Sequence, residues 1–180
     1  INLFIFKMIL GLKVYQWWAH PIIGLSTRFG FYLTINKLFT CTENSFPINS
    51  KKKCVIGHGV NISRFPLRKE LKPLTKSLVT ASRLTYRKNI HQMINLVDYM
   101  NNIYLEEIKL TIYGSPLNRK DKLYQKYLRN LINESKLNHV IEILPAVDHK
   151  DLHSVYLDHN IYLNFSDTAL DKAVLEAMST

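Results

Sequence analysis

The stretch SLVTASRLTYRKNIHQMINLV, residues 77–97, decides the fold class of this chain. It begins with a short β-rich run, passes through a basic turn, and continues with a helical pattern from about Lys88 to Met100. The apolar side chains of this helical part share one stripe at helical spacing: Ile90, Met93, Ile94, Val97 and Met100. The stretch therefore predicts a strand followed by an amphipathic helix.

The same alternation of strands and helices continues toward the end of the chain. The predicted strands are IKLTIYG (108–114), VIEILPA (140–146) and NIYLNF (160–165). The predicted helices are residues 120–135, 150–156 and a last one from about Lys172. On the helix 120–135 one broad face is predicted from Leu123, Tyr127, Leu128, Leu131 and Ile132. The alternation predicts an α/β fold with a parallel sheet covered on both sides, which binds ligands at the carboxyl ends of its strands.

Residues 1–65 are predicted to form a second, less complete domain. A helix from Asn2 to Leu10 leads to the strand KVYQWWA (13–19). An amphipathic stretch, GLSTRFGFYLTIN, then leads to the strand KLFTCTENSF (37–46). The segment RFPLRKELKP (64–73) is rich in proline and charge and is the best linker candidate. These features divide the chain into residues 1–65 and 66–180.

The composition limits the class of protein and the class of partner. The 180-residue chain is 47% hydrophobic and 21% charged, which is typical of a folded protein. Its formal charge of +10 favours an anionic partner, and leaves open nucleic acid, a membrane surface or a phosphorylated ligand. Cys41 and Cys54 match no metal-ligand spacing and indicate a reduced, cytoplasmic setting. Lys7 and Lys13 interrupt the apolar N-terminus, which argues against a membrane span.

Arg83 and Lys88 are the first candidates for chemistry, because they flank the turn between a strand and a helix. A guanidinium and an ammonium beside a helix N-terminus form a natural diphosphate site, since the free N–H groups and the helix dipole also favour negative charge. The alternative is that both are solvated cations on a basic protein. The spacing of the two residues is compatible with either interpretation.

Three further positions leave a choice between function and structure. Glu176 lies about half a turn from the apolar stripe of LDKAVLEAM, so it is either solvated or offered to ligand hydroxyls, with Asp171 as the N-cap. His20 follows the strand KVYQWWA and precedes a proline, where it either contacts a ligand or is structural. Gly59 is one of two glycines that flank His58, and glycines allow close approach of the backbone.

Several familiar motifs are absent from the sequence. It contains neither a G-x-x-x-x-G-K-[ST] phosphate loop nor a G-x-G-x-x-G dinucleotide fingerprint. It also contains no D-x-D pair, no His/Cys cluster of the kind that binds metals, and no G-x-S-x-G nucleophile motif. We therefore expect no metal and no cofactor, so that protein cations would have to neutralise a diphosphate ligand.

Taken in order, these segments resemble glycosyltransferase family 4, the group 1 glycosyltransferases, whose members are retaining enzymes with two facing Rossmann-like domains (the GT-B fold). KKKCVIGHGVNISRF (51–65) is similar to the crossing segment of the family. SLVTASRLTYRKNIHQMINLV is similar to its G-R-L…K-G…L-I block, with Ser82 in place of the usual glycine. The later strands and VLEAM (174–178) match further blocks in order. The resemblance implies a nearly complete donor-binding domain preceded by the end of the acceptor domain.

The resemblance implies a role for several of the candidate residues. Arg83 and Lys88 would grip the donor diphosphate and stabilise the nucleotide as it leaves, while His20 would reach the transferred sugar. These three are the catalytic candidates. Glu176 would hydrogen-bond the ribose hydroxyls, as the second carboxylate of the family's E-x-x-x-x-x-x-x-E motif. Gly59, in the crossing segment, is counted among the donor-binding residues.

The first carboxylate of that motif is replaced in this chain. Thr168 stands where the family's glutamate contacts the donor sugar. Because SDTALDKAVLEAM resembles a T-G-S-L-D-K variant of some bacterial members, Thr168 does not by itself indicate an inactive protein. Asp171 or Lys172 is expected to contribute to the sugar contacts instead.

The implied function is retaining transfer of a sugar from a nucleotide diphosphate sugar to a glycan or lipid-linked acceptor. Peripheral association with the inner face of the membrane is expected where such acceptors sit. Nucleic acid is not expected as a partner, since the basic residues form no single stripe. A basic nucleic-acid-binding α/β module and a non-catalytic member of the GT-B fold are the alternatives. The chain begins with Ile and ends within a helix, which predicts a fragment truncated at both ends and inactive alone.

Overall fold

The chain folds into two compact units, Ile1–Gly59 and Val60–Thr180. The computed structural model describes residues 2–67, 76–104, 107–167 and 171–180. Most of the segment interpreted as a linker therefore lies outside the described residues, and so does Thr168. Phe65 belongs to the second unit, because its buried ring packs against Val79, Val155 and Tyr156.

The first unit is built around a small parallel sheet. Its elements are α1 (Asn2–Leu10), β1 (Tyr15–Trp17), α2 (Leu25–Leu33), β2 (Lys37–Thr40) and β3 (Lys53–Val55). The strands lie side by side in the order β1-β2-β3 and are all parallel. The buried centre of the unit consists of Phe31, Ile35, Leu38, Phe46 and Ile48.

The strands of this unit are shorter than predicted. β2 ends at Thr40, because the Thr42 hydroxyl accepts a hydrogen bond from the Ser45 N–H at 3.2 Å and caps a 3₁₀ turn over Glu43–Ser45. β1 ends at Trp17. The next residue, Trp18, donates its indole N–H to the carbonyl of His20 at 2.6 Å, which turns the chain before the proline.

The second unit contains a larger parallel sheet with helices between its strands. Its elements are β4 (Ser77–Ala81), α3 (Ile90–Tyr104), β5 (Lys109–Tyr113), α4 (Arg119–Glu134), β6 (Ile141–Leu144), α5 (Leu152–Leu157), β7 (Ile161–Tyr162) and α6 (Lys172–Met178). The strand order is β6-β5-β4-β7, and every pair is parallel. The predicted α/β fold with parallel sheets is confirmed. β5 and β6 lie on one side of β4 and β7 lies on the other, so the strand order reverses at β4.

Helix α3 buries the face that its sequence predicts. Ile90, Met93, Ile94 and Val97 are buried, and Met100 packs against the same core. That core also contains Leu110 and Ile112 of β5 and residues of α4. A regular stripe of large aliphatic side chains was therefore sufficient to identify the inner face of α3.

The face predicted for helix α4 is partly wrong. Leu123 is 62% exposed and Tyr127 is also exposed, whereas Tyr124 is completely buried at 0%. The Tyr124 hydroxyl accepts a hydrogen bond from the His91 backbone N–H at 3.1 Å, so its one polar atom is satisfied in the core. Both Leu123 and Tyr124 fit a broad apolar stripe, and packing against α3 selects the second.

Gly114 lies where the chain leaves β5, close to the chain that leaves β4. A Cβ atom at this position would lie 2.2 Å from the carbonyl oxygen of Ser82 and 2.9 Å from a methyl carbon of Leu84. The amide of Gly114 donates to the Leu144 carbonyl at 3.0 Å, and the amide of Ser82 donates to the Tyr113 carbonyl at 2.9 Å. The absence of a side chain thus allows the carboxyl ends of β4, β5 and β6 to lie close together.

Candidate functional site

The candidate site lies at the carboxyl ends of the strands in the second unit. In open parallel sheets, ligands bind outside the carboxyl ends of the strands, at the point where the strand order reverses. Here that point lies between β4 and β7. The loop after β4 (82–89) and the described residues of the loop after β7 (163–167 and 171) therefore border the expected binding crevice.

A cavity of about 250 Å³ opens at the ends of β4, β5 and β6. Its lining combines apolar side chains with a small number of polar groups, and one cation, Arg83, contributes to it. The lining residues are Ala81, Ser82, Arg83, Tyr113, Ser115, Leu117, Ala146, Val147 and Leu152. The Ser115 hydroxyl accepts a hydrogen bond from the Ala146 N–H at 3.1 Å, which holds the β6 loop against the β5 loop.

Arg83 is exposed at the edge of this cavity. Within residues 2–67, 76–104, 107–167 and 171–180, the guanidinium of Arg83 makes no ion pair. An exposed guanidinium carries donors in a planar fork that matches the oxygens of a phosphate. Arg83 is thus placed to receive an anion without first giving up a carboxylate of the described chain.

Lys88 is in a different situation from Arg83. It ends the 3₁₀ turn Tyr86–Lys88, and its ammonium forms an ion pair with the carboxylate of Asp171. The two side chains are only 17% and 13% exposed, so the pair is largely removed from water. Since a largely buried ammonium needs a counter-charge, the carboxylate of Asp171 provides it for Lys88.

Two further contacts join the loop after β4 to the loop after β7. The Arg87 guanidinium lies 3.3 Å from the carboxylate of Asp167, and the Asp167 N–H donates to the Arg87 carbonyl at 3.2 Å. The side-chain amide of Asn89 donates to the carbonyl of Phe165 at 2.9 Å. Asn89 itself has a positive φ of 49°, which ends the 3₁₀ turn and allows α3 to begin at the next residue.

Helix α6 buries its carboxylate and exposes one of its apolar side chains. Glu176 is 3% exposed, while Met178 is 76% exposed. Of the two alternatives for Glu176, a solvated carboxylate is therefore excluded. Burial is tolerated because the Glu176 carboxylate is hydrogen-bonded: Oε1 lies 2.8 Å from Nε2 of His149 and 3.2 Å from the ammonium of Lys172.

The predicted N-cap of α6 is confirmed. The Asp171 side chain accepts a hydrogen bond from the Ala173 N–H at 3.4 Å, with an extended backbone at the cap. Asp171 therefore has two partners, the helix N-terminus through Oδ1 and Lys88 through Oδ2. Lys172, which follows it, turns its ammonium to Glu176 one turn further along the helix.

His149 was not recognised from the sequence. It follows β6 and thus leaves the sheet at the same carboxyl edge as Arg83. The guanidinium of Arg64 lies 3.5 Å from its Nδ1, and the buried ring of Phe65 meets its ring edge-on at a centroid distance of 5.4 Å. The signal that could have found it is a histidine in the loop after a predicted strand, the same argument that drew attention to His20.

Two tyrosines, Tyr156 (buried) and Tyr162 (partly buried), lie near the carboxylates of Asp171 and Glu176. The Tyr162 hydroxyl donates to the Ala81 carbonyl at 3.2 Å. Burial, together with the nearby carboxylate of Asp171, raises the pKa of Tyr162 to about 12. Burial also raises the pKa of Tyr156, to which the charge of Glu176 adds. Both phenols are therefore neutral at physiological pH.

The remaining two candidates belong to the first unit. His20 is exposed after β1, and its Nδ1 accepts a hydrogen bond from the Ile22 N–H at 3.2 Å. This bond places the proton of the neutral ring on Nε2. Gly59 is exposed, and an added Cβ would meet no atom within 4 Å, so no contact in the chain requires a glycine there. The structure thus groups Arg83, Lys88, Asp171, Lys172 and Glu176 in the second unit, with His20 and Gly59 in the first.

Two features are absent from the described residues. In that part of the chain, no group of three or more His, Cys, Asp or Glu side chains could hold a metal ion. Of the helices that the structure describes, none has both the length and the apolar character needed to cross a membrane.

Comparison with known proteins identifies the family of this chain. Residues 63–179 match the family model described as glycosyl transferases group 1. The GtfA subunit of the UDP-N-acetylglucosamine–peptide N-acetylglucosaminyltransferase from Streptococcus agalactiae is 36% identical over 90 residues, which cover 50% of this chain and 16% of that protein.

Solved structures share the fold. The crystal structure of Anabaena HepE in complex with UDP has a TM-score of 0.82 at 14% identity, over 98% of this chain and 53% of HepE. The pneumococcal O-GlcNAc transferase GtfA in complex with UDP and GlcNAc has a TM-score of 0.65 at 20% identity, over 89% of this chain and 32% of that one. The chain thus spans about half the length of HepE and a smaller part of the two streptococcal proteins. At these identities the structures establish the fold, the Rossmann-like parallel sheet of the GT-B type.

Proposed function

The chain belongs to the glycosyl transferases group 1 family, and on that basis we propose that it takes part in moving a sugar from a nucleotide diphosphate sugar to a glycan or lipid-linked acceptor. The observation that carries the proposal is the placement of Arg83 and Lys88 after β4, beside the point where the strand order reverses. Two cations at the carboxyl edge of a parallel sheet are what a departing diphosphate requires.

The proposed reaction proceeds with retention of configuration. The bond between the anomeric carbon of the sugar and the diphosphate oxygen breaks, and Arg83 and Lys88 stabilise the negative charge that develops on the diphosphate. The acceptor oxygen forms its bond to the same carbon from the side that the leaving group occupied, and its proton passes to the departing diphosphate. We assign these steps to the side chains alone, without a metal or a cofactor. Glu176 is proposed to bind the ribose, and Asp171 or Lys172 the transferred sugar. The position of Thr168 lies outside the described residues and contributes no contact to this proposal.

The present partners of Lys88 support an exchange of anions during binding. A diphosphate carries more negative charge than the carboxylate of Asp171, and can draw the ammonium away from it. Asp171 would then be released toward the sugar hydroxyls, which is the role proposed for it. Arg83, exposed at the cavity edge, would make the first contact.

His20 and Gly59 complete the proposal from the first unit. An Nε2–H donor on His20 suits a sugar hydroxyl, and Gly59 lies in the segment that leads into the second unit. The chain spans about half of the length of HepE. We therefore expect that the 180-residue chain alone binds the donor nucleotide but does not transfer the sugar.

The first unit supports a location at a membrane surface. Residues 2–42 include Lys7, Lys13, Arg28 and Lys37 and contain neither Asp nor Glu. Exposed apolar side chains accompany them on α1, namely Ile5, Phe6, Met8, Ile9 and Leu10. Apolar side chains among cations match the inner membrane face, where anionic lipids and lipid-linked acceptors occur. We propose peripheral association there, on the cytoplasmic side. The peptide named for the streptococcal relative is the competing acceptor class.

Binding of UDP to the 180-residue chain tests the diphosphate site, since UDP is the nucleotide named for two of the similar structures. Calorimetry is expected to show that Arg83→Ala and Lys88→Ala each lower the affinity for UDP by about tenfold or more, because each removes a charge-assisted hydrogen bond. Lys109→Ala is the matched control. Lys109 forms an exposed ion pair with Glu107 at the opposite end of the sheet. Its replacement removes one cation but is expected to leave the affinity for UDP unchanged.

Equal affinities of the two site variants and the wild type would refute the assignment. Tight binding of DNA that weakens steeply with salt, without binding of UDP, would favour the nucleic-acid alternative. If UDP is bound but the full-length protein transfers no sugar, the non-catalytic alternative holds.

A further inference from the structure

The Glu176 carboxylate is held by two donors that both contact the same oxygen. Nε2 of His149 and the ammonium of Lys172 lie 2.8 Å and 3.2 Å from Oε1, and neither of these contacts uses Oε2. Lys172 belongs to the same helix, one turn earlier, and has a long side chain with an exposed end. His149 comes from another element, the loop after β6, and is therefore the contact that fixes Glu176 relative to the sheet.

His149 is itself held in place from its other side. The Arg64 guanidinium donates toward Nδ1 at 3.5 Å, so that Nδ1 is the acceptor and the proton of the ring lies on Nε2, facing Glu176. The ring packs against Phe65, which also meets His153 at a centroid distance of 6.4 Å. A donor with a fixed tautomer and a packed ring can determine the orientation of the carboxylate that it contacts.

We propose that His149 is a positioning residue: it orients the Glu176 carboxylate so that Oε2 meets the ribose hydroxyls of the nucleotide, and thereby makes the site selective for ribonucleotides over deoxyribonucleotides. This inference rests on the proposed function, in which Glu176 binds the ribose. The selectivity for ribose over deoxyribose would then depend on His149, in the loop after β6, as well as on Glu176 of α6.

The alternative is that the contact only attaches α6 to the loop after β6. The two roles differ in what they predict for binding. A purely structural contact would affect the stability of the fold and the affinity for all nucleotides alike. A positioning contact affects the nucleotide that carries a 2′-hydroxyl more than the one that lacks it, because only the former meets the oriented carboxylate.

The test compares UDP with 2′-deoxy-UDP on the 180-residue chain. The wild type is expected to prefer UDP by about tenfold, the effect of one hydrogen bond to a charged group. His149→Phe keeps the aromatic packing on Phe65 but removes the donor, and is expected to bring the two affinities to within about twofold. His149→Gln restores an N–H donor and is expected to recover most of the preference.

His153→Phe is the matched control, since His153 also contacts Phe65 but donates its Nε2–H to the Pro66 carbonyl rather than to Glu176. It should retain the wild-type preference. Retention of the preference by His149→Phe, or its loss in His149→Gln as well as in His149→Phe, would overturn the inference while leaving UDP binding intact. A wild type that binds UDP and 2′-deoxy-UDP equally would overturn it too. Absence of any UDP binding by the wild type would overturn the proposed function together with the inference.

Discussion

Gly114 shows at the scale of one residue how the site depends on the close approach of backbone segments. A Cβ there would lie 2.2 Å from a backbone carbonyl, which cannot move aside as a flexible side chain can. We therefore predict that Gly114→Ala destabilises the second unit by about 1–3 kcal/mol through overpacking. Urea unfolding measures the change.

The control for this substitution is Gly30→Ala. Gly30 lies within α2, where an added Cβ would meet no atom within 4 Å. Alanine is expected to stabilise that helix by roughly 0.5–1 kcal/mol. If both substitutions shift the unfolding midpoint in the same direction, the contact with Ser82 does not limit the size of the residue at position 114.

Single-residue roles could be predicted from the sequence only in part. The placement of Arg83 and Lys88 after a strand follows from the strand–turn–helix pattern, and their edge position is confirmed by the sheet. The ion pair between Lys88 and Asp171 could not be predicted, because it joins residues 83 positions apart through the folding of two loops. The burial of Glu176 was missed because a helix of seven residues has too few positions for its periodicity to show which face is buried. A charged residue in so short a helix is therefore taken to be exposed.

At the scale of elements, helix α1 carries the proposal of membrane association. Phe6 and Ile9 are exposed, with Lys7 between them. We predict that the double substitution Phe6→Asp and Ile9→Asp weakens binding to vesicles containing anionic lipid by about tenfold or more, because it replaces inserted apolar surface by charges that the lipid repels. Co-sedimentation with the vesicles measures the binding.

Tyr99→Asp serves as the comparison for this experiment. Tyr99 is an exposed apolar side chain on α3 in the second unit, so its replacement is expected to leave vesicle binding unchanged. Vesicles of zwitterionic lipid should bind the wild type weakly, as should anionic vesicles at high salt. Equal binding of the α1 variant and the wild type would exclude α1 as the membrane contact.

The elements themselves could be predicted to different degrees. Helix α3 followed directly from one stripe of aliphatic residues. In α4 the stripe was too broad to identify the inner residue, and the hydrogen bond of Tyr124 to α3 decided it. The strands of the first unit were overestimated, because local side-chain bonds such as that of Thr42 end them early.

At the scale of the whole molecule, the buried tyrosines link stability to alkaline pH. Tyr162 has a pKa of about 12, against 10.0 for a free tyrosine. The neutral phenol is therefore favoured in the fold, and the unfolded chain loses its proton first as the pH rises. This contribution is complete below pH 10 and is lost between pH 10 and pH 12. We predict that Tyr162 alone contributes a fall of about 2 kcal/mol in the free energy of unfolding over that interval.

Urea unfolding at several alkaline pH values, together with the absorbance of ionised tyrosine, measures this effect. Tyr162→Phe is expected to reduce the fall and to lower stability at neutral pH, since the bond to the Ala81 carbonyl is lost. Tyr99→Phe changes an exposed ring, and its free energy of unfolding should fall with pH as much as that of the wild type. A fall of the same size in Tyr162→Phe would assign the effect to other groups.

The fold class followed from the alternation of strands and helices, because such a sequence of elements has few compact solutions. The strand order could not be read from it: nothing in the periodicity states that β7 lies beside β4 rather than beside β6. That one choice brings the loops after β4 and β7 into contact. The location of the site is therefore a property of the assembled sheet, although its cations were visible in the sequence.

The ion pair between Lys88 and Asp171 bears on how strongly salt affects the binding of an anion. The formal charge of +10 counts Lys88 as an available cation, but in the fold that charge is already neutralised. When a diphosphate replaces the carboxylate on Lys88, one shielded pair is exchanged for another, and dissolved salt weakens both. Under the proposed function, the salt sensitivity of donor binding would then be set mainly by Arg83, and we expect a weaker dependence of nucleotide affinity on ionic strength than the total charge implies.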